Sequence, residues 1–157
     1  LWAVLAGLCQ SVVAVGNSRD MLAKAEHACQ AAGLNNVTLI EGTTDTLRAS
    51  GSGPFDLVVA NMVLHHVPSP ADIFLDAGDL MAPGACLIIS DLRSHDQDWV
   101  RANCGDLWLG FEPEELSAWA AEAGLGAGES LFIGLRNGFH IQVQEFWKPG
   151  ASEPGHP

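Results

Sequence analysis

Basic side chains are scarce in this 157-residue chain, where seven Lys and Arg stand against nineteen Asp and Glu for a formal charge of −12. A surface so charged repels a phosphate backbone instead of displacing its counterions, so no nucleic-acid contact is expected from this segment. No apolar run approaches the roughly 18–20 residues that span a bilayer, and the opening stretch 1–10 lacks the basic flank and small-residue cleavage site of an export signal. These absences predict an unexported, cytoplasmic chain with no membrane span. Cys9, Cys29, Cys86 and Cys104 are scattered without a CxxC pair, a pattern far sparser than a secreted disulfide scaffold. They are expected to be four reduced thiols. An initiating Met is also missing, and Leu1 opens directly into a helical pattern, which suggests that something upstream is absent.

What is present can build a core: 48% of the residues are apolar, enough for one compact domain. Residues 1–8 read as the end of an apolar helix and 11–16 as a short β-branched strand. Ser18 is an N-cap, Asp20 suits the first turn, and Met21, Ala25, Cys29 and Ala32 recur at helical spacing until Gly33 stops the helix. Strands follow at 37–42 and 55–61, joined by a polar stretch through Gly51-Ser-Gly-Pro54. Ser69-Pro70 starts a helix with Ile73, Ala77, Leu80 and Met81 inward, Pro83-Gly84 stops it, and 85–91 is a fourth strand. Strands alternating with helices, several of them apolar throughout, indicate a parallel sheet covered on both faces. Beyond a polar, Trp-bearing segment at 93–111, the pattern gives a helix over 113–123 and two strands, 130–135 and 139–147. Asn137-Gly138 between them is read as a tight hairpin turn with positive φ at both positions. Residues 148–157, with three Pro and two Gly, are read as a disordered tail.

A parallel sheet binds its ligand beyond the carboxyl ends of its strands. That rule selects Gly16-Asn17-Ser18, Gly42-Thr43-Thr44, Asn61-Met62-Val63 and Asp91, although loop polarity and core packing account for such residues too. His65-His66 invites a metal, but adjacent residues project in different directions and no third ligand sits at suitable spacing, so none is expected. Asp91, His95, Asp96 and Asp98 are candidates for a general base or for a solvated polar loop. Trp99, Trp108, Trp119 and Trp147 would cap a flat ligand or, as aromatic residues more often do, fill the core.

Three blocks in order, Val-Val-Ala-Val-Gly-Asn-Ser-Arg-Asp-Met-Leu (12–22), Phe-Asp-Leu-Val-Val-Ala-Asn-Met-Val-Leu-His-His-Val (55–67) and Leu-Met-Ala-Pro-Gly-Ala-Cys-Leu-Ile-Ile-Ser-Asp (80–91), resemble the small-molecule class I S-adenosylmethionine-dependent methyltransferases. The resemblance covers about residues 1–147. It implies an α/β, Rossmann-like sheet, mostly parallel with a C-terminal antiparallel hairpin and with the first strand missing. It implies S-adenosyl-L-methionine as cofactor, a small-molecule methyl acceptor, and Gly16, Asn17, Ser18, Met21, Thr43, Thr44, Asn61, Met62 and His66 as cofactor-binding residues. No obligatory catalytic residue stands out, as befits a reaction governed by alignment and exclusion of water.

Two departures accompany the match. The family's first strand and its Gly-x-Gly-x-Gly loop are not in the sequence. The one cluster of that shape, Gly124 to Gly128, follows a helix and is read as a helix stop and linker. Gly16 stands where the family has an Asp or Glu for the ribose hydroxyls, and Thr43 where an acidic residue often faces the adenine edge. A narrower block, Asp106-Leu-Trp-Leu-Gly-Phe111 with Glu114-Glu115-Leu116, resembles the methyltransferase-like domains behind a winged helix in ArsR-type regulators. This leaves a rival reading, a non-catalytic sensor or dimerisation domain, with a homodimer compatible with either. A nicotinamide dehydrogenase would share the sheet, but the Leu-His-His-Val and Met-Ala-Pro-Gly blocks argue against it.

Overall fold

The computed structural model describes residues 2–150. The chain forms two compact units, divided between Ser52 and Gly53. The first holds α1 (Trp2–Leu8), β1 (Val12–Gly16), α2 (Arg19–Ala31), β2 (Val37–Glu41) and α3 (Thr44–Ala49). β1 and β2 are parallel, in register from Val12 opposite Val37 to Gly16 opposite Glu41. The Asn36 amide donates to the carbonyls of Ala6 and Cys9 at 2.8 and 3.0 Å, satisfying groups that the end of α1 leaves open. Ser18 caps α2 by accepting from the Met21 N–H, and Gly33 follows the helix at φ +67°, as the sequence predicts.

α3 was not expected, because the sequence there reads as polar linker. Thr43 is its N-cap in a reciprocal box with Thr46, whose hydroxyl accepts from the Thr43 N–H at 3.1 Å. Gly42 is required beside it: at φ +148° it lies so close to Thr46 that a Cβ would overlap that side chain.

The second unit contains β3 (Phe55–Asn61), a 3-10 turn at Leu64–His66, α4 (Pro70–Leu80), β4 (Met81–Leu92), α5 (Trp99–Cys104), α6 (Pro113–Glu122), β5 (Gly126–Gly134) and β6 (His140–Trp147). Its sheet order is β3-β4-β6-β5, with β3 and β4 parallel and β6 antiparallel to both its neighbours. The expected mixture of parallel strands and a C-terminal antiparallel hairpin is therefore present. Phe74, Leu87, Ile89, Phe111, Leu116 and Phe146 form the centre of its core. Trp119 packs there against Phe74 and Phe111, the bland one of its two readings.

Four sequence expectations need correction. α4 closes at Leu80 and β4 already begins at Met81, so Met81, Pro83 and Gly84 belong to the strand and not to the helix and its stop. Gly126 and Gly128 belong to β5 and are not linker; Gly128 has no side chain because a Cβ would meet the Trp147 indole at 2.6 Å. In the hairpin the turn bond runs from the Gly138 N–H to the Leu135 carbonyl, so Arg136 and Asn137 are its central residues. Only Gly138, at φ +86°, is left-handed there, giving a longer loop closed by the Leu135 N–H on the Phe139 carbonyl at 2.8 Å. Lys148 is not part of a loose tail: its ammonium donates to the carbonyls of Gly78 and Met81 at 2.8 and 2.9 Å, at the carboxyl end of α4. The tail reading at 151–157 lies outside the described residues. Lys148→Met is expected to cost about 1–2 kcal/mol, the value of charge-assisted bonds that remain partly solvated. Urea denaturation should show a lower midpoint at unchanged slope; an unchanged midpoint would make the contact incidental.

Candidate functional site

In the first unit the fold brings together the carboxyl ends of β1 and β2. The Gly42 N–H donates to the Gly16 carbonyl at 2.9 Å, which sets Gly16, Asn17 and Ser18 beside Gly42, Thr43 and Thr44. Asn17 and Thr43 are exposed, and Met21 projects from the first turns of α2 with 64% of its surface accessible. Gly16 is not left-handed, and a Cβ there would make only an ordinary contact with Leu22 Cδ2 at 3.7 Å. Its backbone therefore does not demand glycine. Directly opposite in register is Glu41, whose Oε1 accepts from Arg19 Nε at 2.8 Å. Sequence reading missed this carboxylate; the pairing of β1 with β2 puts it at the strand end where Gly16 offers none.

In the second unit Asn61 and Met62 close β3. Asn61 is exposed, while Met62 stands at φ +56°, left-handed without being glycine, and donates its N–H to the Ser90 carbonyl at 2.7 Å. Such a conformation costs about 1–3 kcal/mol and persists where its surroundings fix it, often at a ligand site. Met62 packs on a small cluster of Leu92, Val100 and Phe139.

The turn that follows is latched by Asp91 at the end of β4. Asp91 is fully buried; its Oδ2 accepts from the Leu64 N–H at 2.9 Å, and its Oδ1 from the Leu92 N–H and from His65 Nδ1, both at 2.7 Å. Both oxygens are committed, so Asp91 is a support and not a base facing a ligand. Burial alone would lower the pKa of His65, but the hydrogen bond and charge of Asp91, with the charge of Asp106, outweigh it and hold His65 above its ordinary value. His66 is largely exposed, its Nδ1 3.5 Å from both Asp106 Oδ1 and the Gly105 carbonyl.

Asp106 is the partner that sequence spacing could not supply. It is buried, with Oδ1 3.8 Å from His65 Nε2, and one ligand atom from each of His65, His66 and Asp106 lies within 4.8 Å of the others. The expectation that no third ligand approaches the two histidines is thereby overturned. The block 106–111 arrives there through bonds from the Leu107 and Trp108 N–H groups to the His65 carbonyl, and from Trp108 Nε1 to the Val67 carbonyl.

The other candidate bases differ. Asp96 and Asp98 are exposed, Asp98 preceding α5 as its N-cap residue. His95 accepts from the Gln97 N–H through Nδ1, and its ring edges onto Phe139, where Trp99 packs as well.

A split α/β arrangement with polar residues at the carboxyl ends of parallel strands, followed by an antiparallel hairpin, is the class I methyltransferase fold. Residues 7–126 match the methyltransferase domain family, and the chain belongs to it. A ubiquinone biosynthesis O-methyltransferase from Methylococcus capsulatus is 29% identical over 86% of this chain and 66% of its own length. A protein of the same name from Azotobacter vinelandii is 28% identical over 60% of the chain and 46% of its own length. The chain thus spans about half to two thirds of these curated relatives. Among solved structures, an S-adenosylmethionine-dependent methyltransferase from Methanosarcina mazei superposes with a TM-score of 0.75 at 18% identity, over 96% of this chain and 88% of that one. S-adenosylmethionine is the cofactor of this family. In the first unit the residues present fit its ribose: the end of β1 has room for a side chain or ligand at Gly16, beside the Glu41 carboxylate.

Proposed function

We propose that the protein transfers a methyl group from S-adenosylmethionine to a small-molecule acceptor, and the observation that carries this reading is the family match over 7–126. Bound S-adenosylmethionine supplies an electrophilic sulfonium methyl; the chain's work is to bind, align and keep out water. In the first unit Gly16, Asn17, Ser18 and Met21 serve the ribose side and Thr43 and Thr44 the adenine edge. In the second, Asn61, Met62 and His66 serve the methionine side. An oxygen acceptor is supported by the O-methyltransferase names of the relatives. The finer domain reading belongs here too: residues 1–147 are a partial methyltransferase domain, preceded in the parent protein by a strand and a Gly-rich loop. Its support is that β1 pairs only with β2, and β3 only with β4, among the described residues.

Gly16→Asp tests the cofactor reading. A carboxylate acceptor contributes about 1.5–3 kcal/mol per bond against about 1 for a neutral one, so the substitution should tighten binding about tenfold. Calorimetry with S-adenosylmethionine should be run on the protein carrying about 40–60 further upstream residues, room for a strand and loop of ordinary length. A second reading, a sensor domain of an ArsR-type regulator, rests on the missing carboxylates at Gly16 and Thr43 and on the block from Asp106 to Phe111, and the family match does not favour it. Absence of binding in both the parent and the Gly16→Asp variant would support it and sink the enzyme.

A further inference from the structure

We infer that His65, His66 and Asp106 form a binding site for one divalent transition-metal ion of zinc-like preference. The three ligand atoms converge from two separate parts of the second unit: the 3-10 turn after β3, and the segment that follows α5. Two imidazoles and one carboxylate, all within 4.8 Å, surround a point about 2–3 Å from each, one small side-chain rotation from the ~2.0–2.2 Å of zinc–nitrogen and zinc–oxygen bonds.

The second observation is the gap between these groups. The side chains of His65 and Asp106 are each only 5% exposed, and they face one another at 3.8 Å, too far for a hydrogen bond. His66 Nδ1 approaches the same oxygen no closer than 3.5 Å. A cation between Nε2 and the carboxylate would be ligated by both across this gap. Asp91 fixes the ring: by accepting from Nδ1 at 2.7 Å it turns the His65 Nε2 toward Asp106. A carboxylate behind a histidine, orienting it and raising its basicity, is the usual support of a metal-ligating imidazole. His66, 45% exposed, gives the site a path to solvent and leaves room for a water or an acceptor oxygen at a fourth position. Two nitrogen donors disfavour Mg²⁺ and Ca²⁺, which prefer oxygen cages.

The test is titration of the chelator-treated protein with Zn²⁺ by calorimetry, with Co²⁺ absorption as a second readout. The expected result is one ion per chain, visible Co²⁺ d–d bands without thiolate charge transfer, and no comparable heat from Mg²⁺. Asp106→Asn, which keeps volume, and His66→Ala, at an exposed position, should each weaken Zn²⁺ binding at least tenfold with far-UV dichroism unchanged. Cys104→Ser, which removes the exposed thiol two positions before Asp106, should bind as the parent does. Zn²⁺ binding that survives both ligand substitutions, or is lost with Cys104, would mean adventitious capture and overturn the site. Failure to bind any ion stoichiometrically, or equal affinity for Mg²⁺, would overturn it too. None of these readouts depends on methyl transfer.

Discussion

Asp91→Ala is expected to cost about 3–5 kcal/mol, the largest effect of any single substitution proposed for this chain. A fully buried carboxylate that accepts from Leu64, Leu92 and His65 leaves all three donors stranded when it is cut away, and breaking such a buried pair typically carries a penalty of about that size. Against a net stability of about 5–15 kcal/mol this approaches unfolding. Asp91→Asn should recover part of the loss, since its carbonyl still accepts from Leu64. Urea denaturation of both variants provides the comparison. A loss below about 1 kcal/mol in the Ala variant would show that water replaces the carboxylate freely, and the latch would lose its structural meaning.

Gly110→Ala comes next, at about 2–4 kcal/mol. Gly110 has φ +80°, and a Cβ would press into the end of β4, against the Arg93 carbonyl carbon at 2.6 Å and the Leu92 carbonyl oxygen at 2.9 Å. The left-handed backbone accounts for about 1–2 kcal/mol of this and the crowding for about 1–2. Gly84, also left-handed at φ +82° but with open space around it, is the matched control: its Ala variant should lose only the backbone share. Thermal unfolding of the two variants separates the contributions, and equal losses would show that the crowding is relieved at no cost. The stake is the anchoring of Phe111, whose N–H donates to the Leu92 carbonyl and whose own carbonyl accepts from Gln142 Nε2 at 2.8 Å.

The sheet was legible because buried parallel strands write themselves as β-branched runs, as at 12–16 and 55–61, and because Ser18 and Ser69-Pro70 mark helix starts with chemistry of their own. α3 was not, since among its six residues only Leu47 is buried and no periodicity can show in so short a segment. β5 escaped at its amino end for a different reason: every residue in it is exposed, so there is no alternation to read, and pairing with β6 alone makes it a strand. Strand-end positions could be chosen from topology before any contact was known. The approach of Asp106 to His65 and the pairing of Glu41 beside Gly16 could not, because each depends on chain segments meeting across sequence distances that carry no pattern.

The first unit is thinly cored. Among its described residues the buried apolar side chains are Ala14, Cys29 and Leu47, set under a two-stranded sheet, an arrangement of marginal stability by itself. Hydrogen exchange should register this as a difference in time. The amides of Ala14 and Ile40, which lie in the β1–β2 ladder, would trade with solvent through frequent local openings, whereas those of Leu87 and Ile89, over the aromatic core of the second unit, would wait for rarer and larger ones.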